Sequence, residues 1–152
     1  MPPPSEGPLG RVAVLGLGLM GGSLARGVSM LGLARRVTGW SPRSTERDAA
    51  LTAGAVTLAA ADWSEAVSDA DLVVLAVPLG PAVELVQEVR DAIPASATLT
   101  DVVSLKAPVE AAVRRSGLED QWVGSHPMVG GEASGFWASR SDLYQGATVW
   151  VV

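Results

Sequence analysis

The chain contains no cysteine, which excludes disulfide staples and thiolate chemistry and fits the reducing environment of the cytoplasm. Histidine occurs once, at His126, and lysine once, at Lys106, and no metal site is expected. Positive charge is in the minority, with eleven Lys and Arg against sixteen Asp and Glu and a net charge of −5. That balance advertises no surface for nucleic acid or for an anionic membrane, so any anionic ligand must be held by local groups. Long apolar runs are missing too; none approaches the ~20 residues needed to cross a bilayer. The opening Met1-Pro-Pro-Pro-Ser-Glu-Gly-Pro8 has no cationic region followed by an apolar core, so it does not read as a signal peptide. Residues 1–10 are expected to form a disordered leader.

What is present is small and apolar. With 152 residues of which 48% are hydrophobic, the chain can bury one core, and 11–152 read as one domain. The stretch Arg11-Val-Ala-Val-Leu-Gly-Leu-Gly-Leu-Met-Gly-Gly-Ser-Leu-Ala25 organises it. A β-branched run leads into Gly16-x-Gly18-x-x-Gly21 and then into a helical pattern, the first strand, turn and helix of a dinucleotide-binding unit. Gly16 permits the tight turn, Gly18 lets the backbone approach a pyrophosphate, and Gly21 lets the helix pack on the strand. Gly16, Gly18, Leu19, Met20 and Gly21 are therefore candidate cofactor-binding residues, with the amides of the helix start facing the phosphates.

Further along, strands and helices alternate. A helix is expected over 19–31, with Leu24, Val28 and Leu31 on its inner face and Gly32 as its stop. Strands are expected over 36–40, 55–58, 71–78 and 97–100, and helices over 45–53, 65–68 and 81–92. Val123 and residues 148–152 supply later strands. Short connections between alternating elements predict an α/β doubly wound, mostly parallel sheet with helices on both faces. Dinucleotide folds usually carry an acid at the end of the second strand, where it bonds the adenosine ribose. Here Trp40-Ser-Pro-Arg-Ser44 stands instead. Ser41, Arg43 and Ser44 are thus candidate donors to the 2′-phosphate of NADP, which is favoured over NAD. Val77 and Pro78 end the central strand at the ligand-binding edge and are expected to line the nicotinamide pocket.

Two further segments, Thr100-Asp-Val-Val-Ser-Leu-Lys-Ala107 and Gly124-Ser-His-Pro-Met-Val-Gly-Gly-Glu-Ala-Ser-Gly135, each follow an expected strand and open onto the same edge. His126 sits in a glycine-rich loop, and its imidazole can accept a proton near neutral pH. Ser104 can orient that ring.

These blocks, with Gly16-Leu-Gly-Leu-Met-Gly-Gly-Ser-Leu-Ala25 and Asp71-Leu-Val-Val-Leu-Ala-Val-Pro78, resemble the prephenate and arogenate dehydrogenase family of tyrosine biosynthesis from Arg11 to Val152. The first two blocks are shared with many β-hydroxyacid-type dehydrogenases; Ser104 and Lys106 followed by His126-Pro-Met are far more specific. The resemblance implies a Rossmann-type NAD(P)-binding domain and oxidative decarboxylation of prephenate or arogenate. His126 is then the residue that draws off the substrate hydroxyl's proton, and Ser104 the serine that bonds both the histidine and that hydroxyl. By the same resemblance Glu132 is a carboxylate near the pocket mouth, and Lys106 adds positive charge near the dianionic substrate. It also implies a helical domain beyond Val152 that makes a homodimer and contributes an arginine to the substrate's carboxylates. Without that half the isolated chain is expected to be inactive. Two alternatives are a β-hydroxyacid or imine reductase, which leaves the His126-Pro-Met loop unexplained, and a non-catalytic nucleotide-binding module.

Overall fold

The computed structural model describes residues 9–152. The leader expected over residues 1–10 lies outside them up to Pro8, while Leu9 and Gly10 already belong to the first strand. In order the elements are β1 (Leu9–Leu15), α1 (Leu19–Met30), β2 (Ala34–Trp40), α2 (Ser44–Thr52), β3 (Leu58–Ala60), α3 (Trp63–Val67), β4 (Leu72–Leu75), α4 (Leu79–Val89), β5 (Thr98–Asp101), α5 (Lys106–Ser116), β6 (Trp122–Pro127), a 3₁₀ turn (Phe136–Ala138) and β7 (Val149–Val151). They form one seven-stranded sheet in the order β3-β2-β1-β4-β5-β6-β7. Every neighbouring pair is parallel except β6 and β7. The expected doubly wound α/β sheet is what forms.

Alternation along the central strands divides the core in two. Ala13, Leu15, Val73, Leu75 and Leu99 face one side, where α3, α4 and α5 pack. Val12, Val14, Val37 and Val74 face the other, against α1, α2 and Phe136. Strands buried on both faces carry no polar alternation, which explains the continuous apolar runs. The strand order reverses between β1 and β4, and a crevice therefore opens at their carboxyl ends. Among the described residues no helix is long and apolar enough to cross a membrane.

Several boundaries differ from expectation for local reasons. Leu31 is 67% exposed, because α1 ends at Met30 and Leu31 is already its C-cap. Ala55 and Val56 are not strand; they plug the core from the loop before β3. The strand β4 stops at Leu75, and α4 begins at Leu79 with Pro81 in its first turn, where a missing amide leaves no helical bond unmade. A whole helix, α5, goes unread in the sequence although Val109, Ala112, Val113 and Ser116 repeat at helical spacing and Gly117 closes it with φ +67°.

Candidate cofactor and active site

The site grows from the contact between the loops that leave β1 and β4. Gly16 has φ +105°, and a Cβ there would overlap the Ala76 carbonyl, so only glycine fits. Its amide donates to the Trp40 carbonyl at 2.8 Å, which ties the turn to the end of β2. Gly21 stands against the Gly16 carbonyl oxygen so closely that a Cβ would collide with it, and α1 thereby packs directly on the turn. Gly18 is different: a Cβ would meet nothing within 4 Å. No side chain caps α1 at Gly18 and its first turn contains no acid. An open glycine before an uncapped helix start fits a pyrophosphate.

Two clefts meet at this turn. One, of about 570 Å³, runs past Gly16, Gly18 and Val77 to Trp40, Arg43 and Glu46. The other, of about 510 Å³, takes in Leu19, Met20, Val77, Pro78 and Ser104, with Gly131 from the loop after β6. Gly18, Val77 and Pro78 line both. The arrangement suits a ligand of two halves joined at a phosphate bridge.

At the far end of the first cleft the structure revises the expected donor set. Ser41 is 1% exposed; its hydroxyl donates to Glu46 Oε1 at 3.0 Å and accepts the Arg43 amide at 3.2 Å. That hydroxyl proton is spent inside the fold and is not free for a phosphate. The strand end carries no acid, yet the cleft is not free of carboxylate, because Glu46 enters it from the first turn of α2. Glu46 Oε2 in turn accepts the Phe136 amide at 3.0 Å. Arg43 and Ser44 are exposed, and Arg43 lines the cleft.

On the other side Ser104 is exposed in the second cleft, at the turn from β5 into α5. His126 lies half-buried on the strand β6 rather than in a loop, paired through its backbone with Trp150 of β7. The bonds formed between these segments are not the expected one from Ser104 to His126. They run from Ser125 Oγ to the Asp101 carbonyl at 2.6 Å and from Thr100 Oγ1 to Ser125 Oγ at 3.3 Å. Lys106 is turned inward, paired with the Asp101 carboxylate, with side-chain exposures of 16% and 0%. Its charge is therefore held by the fold rather than offered to a substrate, against the expectation. Glu132 is exposed at the rim, while its neighbours Gly131 and Ala133 line the cleft.

Residues 24–152 match the prephenate dehydrogenase, nucleotide-binding domain family. The chain belongs to that family. The match starts just past Gly21, so it does not depend on the glycine turn. A prephenate dehydrogenase of Bacillus subtilis is 30% identical over 138 residues, which are 90% of this chain and 37% of the relative. Among solved structures, a prephenate dehydrogenase from A. aeolicus, in complex with hydroxyphenyl propionate and NAD+, superposes with a TM-score of 0.88 at 24% identity, over 97% of this chain and 52% of that one. Synechocystis arogenate dehydrogenase gives 0.85 at 26% identity, over 93% and 49%. The chain thus spans between about a third and about half the length of these relatives.

Within this prephenate dehydrogenase domain, sequence reasoning missed Glu46, Asp101 and Trp122. Each acts through a partner brought in by the fold: Phe136 for Glu46, and Trp122 Nε1 donating to Asp101 Oδ2 at 3.0 Å.

Proposed function

We propose that the chain is the cofactor-binding half of an NAD(P)-dependent enzyme that oxidatively decarboxylates prephenate to 4-hydroxyphenylpyruvate, or arogenate to tyrosine. The observation that carries this reading is the pair of clefts joined at Gly18, with Ser104 opening into one of them and His126 on the neighbouring strand. The bound nicotinamide would take up the hydride from the ring carbon that bears the substrate's hydroxyl. Val77 and Pro78 would form the wall against which that ring lies. Ser104 would hold the hydroxyl, and His126 would accept its proton as the carbonyl forms. Loss of carbon dioxide then leaves the ring aromatic.

Preference for NADP over NAD rests on Arg43 and Ser44, since Ser41 is occupied. Glu46 takes a hydrogen bond on each oxygen, which offsets part of its repulsion of a phosphate. The whole protein would work in the cytoplasm as a homodimer through its helical domain, and the isolated chain would bind cofactor without turning over substrate.

The test is to assay the full-length natural protein with prephenate and with arogenate, each with NAD and NADP, alongside a β-hydroxyacid and a cyclic imine. Oxidation of one of the ring substrates is expected; turnover of only the hydroxyacid or imine, or of nothing, would refute the reading.

A further inference from the structure

We propose that Asp101 is a positioning residue that sets the Ser104 loop against the His126 strand. The carboxylate is fully buried and collects donors from three directions. Oδ1 accepts the Val103 amide at 3.0 Å and the Lys106 ammonium. Oδ2 accepts Trp122 Nε1 at 3.0 Å. The Asp101 carbonyl accepts Ser125 Oγ at 2.6 Å. One residue thereby grips the backbone immediately before Ser104, the first residue of α5, the first residue of β6, and the residue immediately before His126.

Stability is a weak account of the ion pair at the centre of this arrangement. A buried ion pair loses hydration on both partners and is weak evidence for stability, since an apolar pair of similar volume often does as well. Lys106 is also the first residue of α5, where the helix dipole disfavours a cation. What the ion pair adds is geometry. With Lys106 drawn onto Oδ1 and Val103 beside it, the chain from Val103 to Lys106 is pinned on both sides of Ser104, while Oδ2 and the carbonyl fix β6. A catalytic hydroxyl and an imidazole carried on separate segments need such a fixed reference, because small misplacements of reacting groups cost large factors in rate.

This inference rests on the catalytic reading of Ser104 and His126, and the experiment separates the two. In the full-length protein, Asp101→Asn keeps the shape but removes the charge that holds Lys106, and Trp122→Phe removes only the Nε1 donor should the first variant fold poorly. Turnover per folded molecule is expected to fall about tenfold to a hundredfold in Asp101→Asn and less in Trp122→Phe, with cofactor Kd held within about twofold. On a Ser104→Ala background the Asp101→Asn change should add clearly less than its loss in the parent, because part of its effect runs through that hydroxyl. Lowered melting temperature with unchanged turnover, or full additivity with Ser104→Ala, would overturn the inference alone. Near-parental turnover in Ser104→Ala and His126→Asn would overturn the catalytic reading and the inference together.

Discussion

Glu46 and Phe136 are ninety residues apart, and the Glu46 carboxylate accepts the Phe136 amide at 3.0 Å. Its other oxygen takes the Ser41 hydroxyl, so one buried side chain joins the end of β2 to the 3₁₀ turn that follows the loop after β6. Phe136 is 1% exposed. Its ring lies against Gly22 of α1 and beneath the Arg26 guanidinium, 4.4 Å from the ring centre. The far end of the loop that carries Glu132 is thereby anchored on the cofactor-binding half of the sheet.

Replacing Glu46 with alanine should therefore destabilise the domain strongly for a residue outside the hydrophobic core. Two buried donors lose their acceptor, at about 1–3 kcal/mol each. Thermal unfolding should shift down by about 4–24 °C in a domain of this size. Glu46→Gln retains one acceptor and should lie between. A parental melting curve for Glu46→Ala would show that these bonds contribute nothing.

The two glycines of the turn should fail in different ways. At Gly18 the space beside the backbone is open, so Gly18→Val should fold normally and lose both NAD and NADP, its side chain occupying the pyrophosphate's place. At Gly21 a Cβ collides with the Gly16 carbonyl, so even Gly21→Ala should lower stability. Cofactor titration and thermal melts on both variants check the contrast, and retained affinity in Gly18→Val would move the phosphate site elsewhere.

What the sequence revealed was what local spacing controls. Gly16, Gly18 and Gly21 act within one turn and helix, and their roles follow from their positions. The strands of the central sheet were legible because burial on both faces leaves unbroken apolar runs. Ala55 and Val56 misled for the same reason: a buried loop is as apolar as a buried strand. Ser41 and Lys106 look like free donors in the sequence because their partners, Glu46 and Asp101, come into place only when helix and strand are assembled. No spacing rule announces which way such a side chain turns. The spacing of Val109, Ala112, Val113 and Ser116 traces one face of α5, so that helix too is written in local periodicity.

Arg43→Ala should weaken NADP binding about tenfold or more and leave NAD nearly unchanged. A charge-assisted contact to phosphate contributes roughly 1.5–3 kcal/mol, and 1.4 kcal/mol is a factor of about ten. Ser41→Ala should behave otherwise, affecting stability through Glu46 and the Arg43 amide more than it affects discrimination. Calorimetric titration with both cofactors decides, and equal loss for the two in Arg43→Ala would end the phosphate assignment.

Tyr144, the single tyrosine, gives the fold a spectroscopic reporter. Its hydroxyl donates to the Met20 carbonyl at 2.9 Å, and burial pushes the phenol up from 10.0 to about 12. A folded value above the unfolded one means the contribution is fully present below pH 10 and is lost as pH rises towards 12. Tyrosinate absorbance should therefore appear near pH 12 in the native protein and near 10 in denaturant. Tyr144→Phe should flatten the fall in stability across that window. A native titration at the unfolded value would mean the segment after the 3₁₀ turn is not packed on α1.

His126 provides the sharpest test of the proposed chemistry. It is half-buried on β6 with its backbone paired to β7, so it can be a proton acceptor or a brace between two strands, and the two roles forecast opposite results. If it accepts the substrate hydroxyl's proton, His126→Asn in the full-length protein should lower turnover by roughly 100-fold to 10,000-fold, the range of a general acid-base group. Cofactor affinity should barely move, because neither cleft that meets at Gly18 is lined by this side chain. Ser104→Ala should lose less, since it disturbs the holding of the hydroxyl and leaves the acceptor in place. A brace predicts a lower melting temperature with turnover of the folded fraction intact. Stability and rate measured on the same samples separate the accounts, and near-normal turnover in folded His126→Asn would remove His126 from the chemistry.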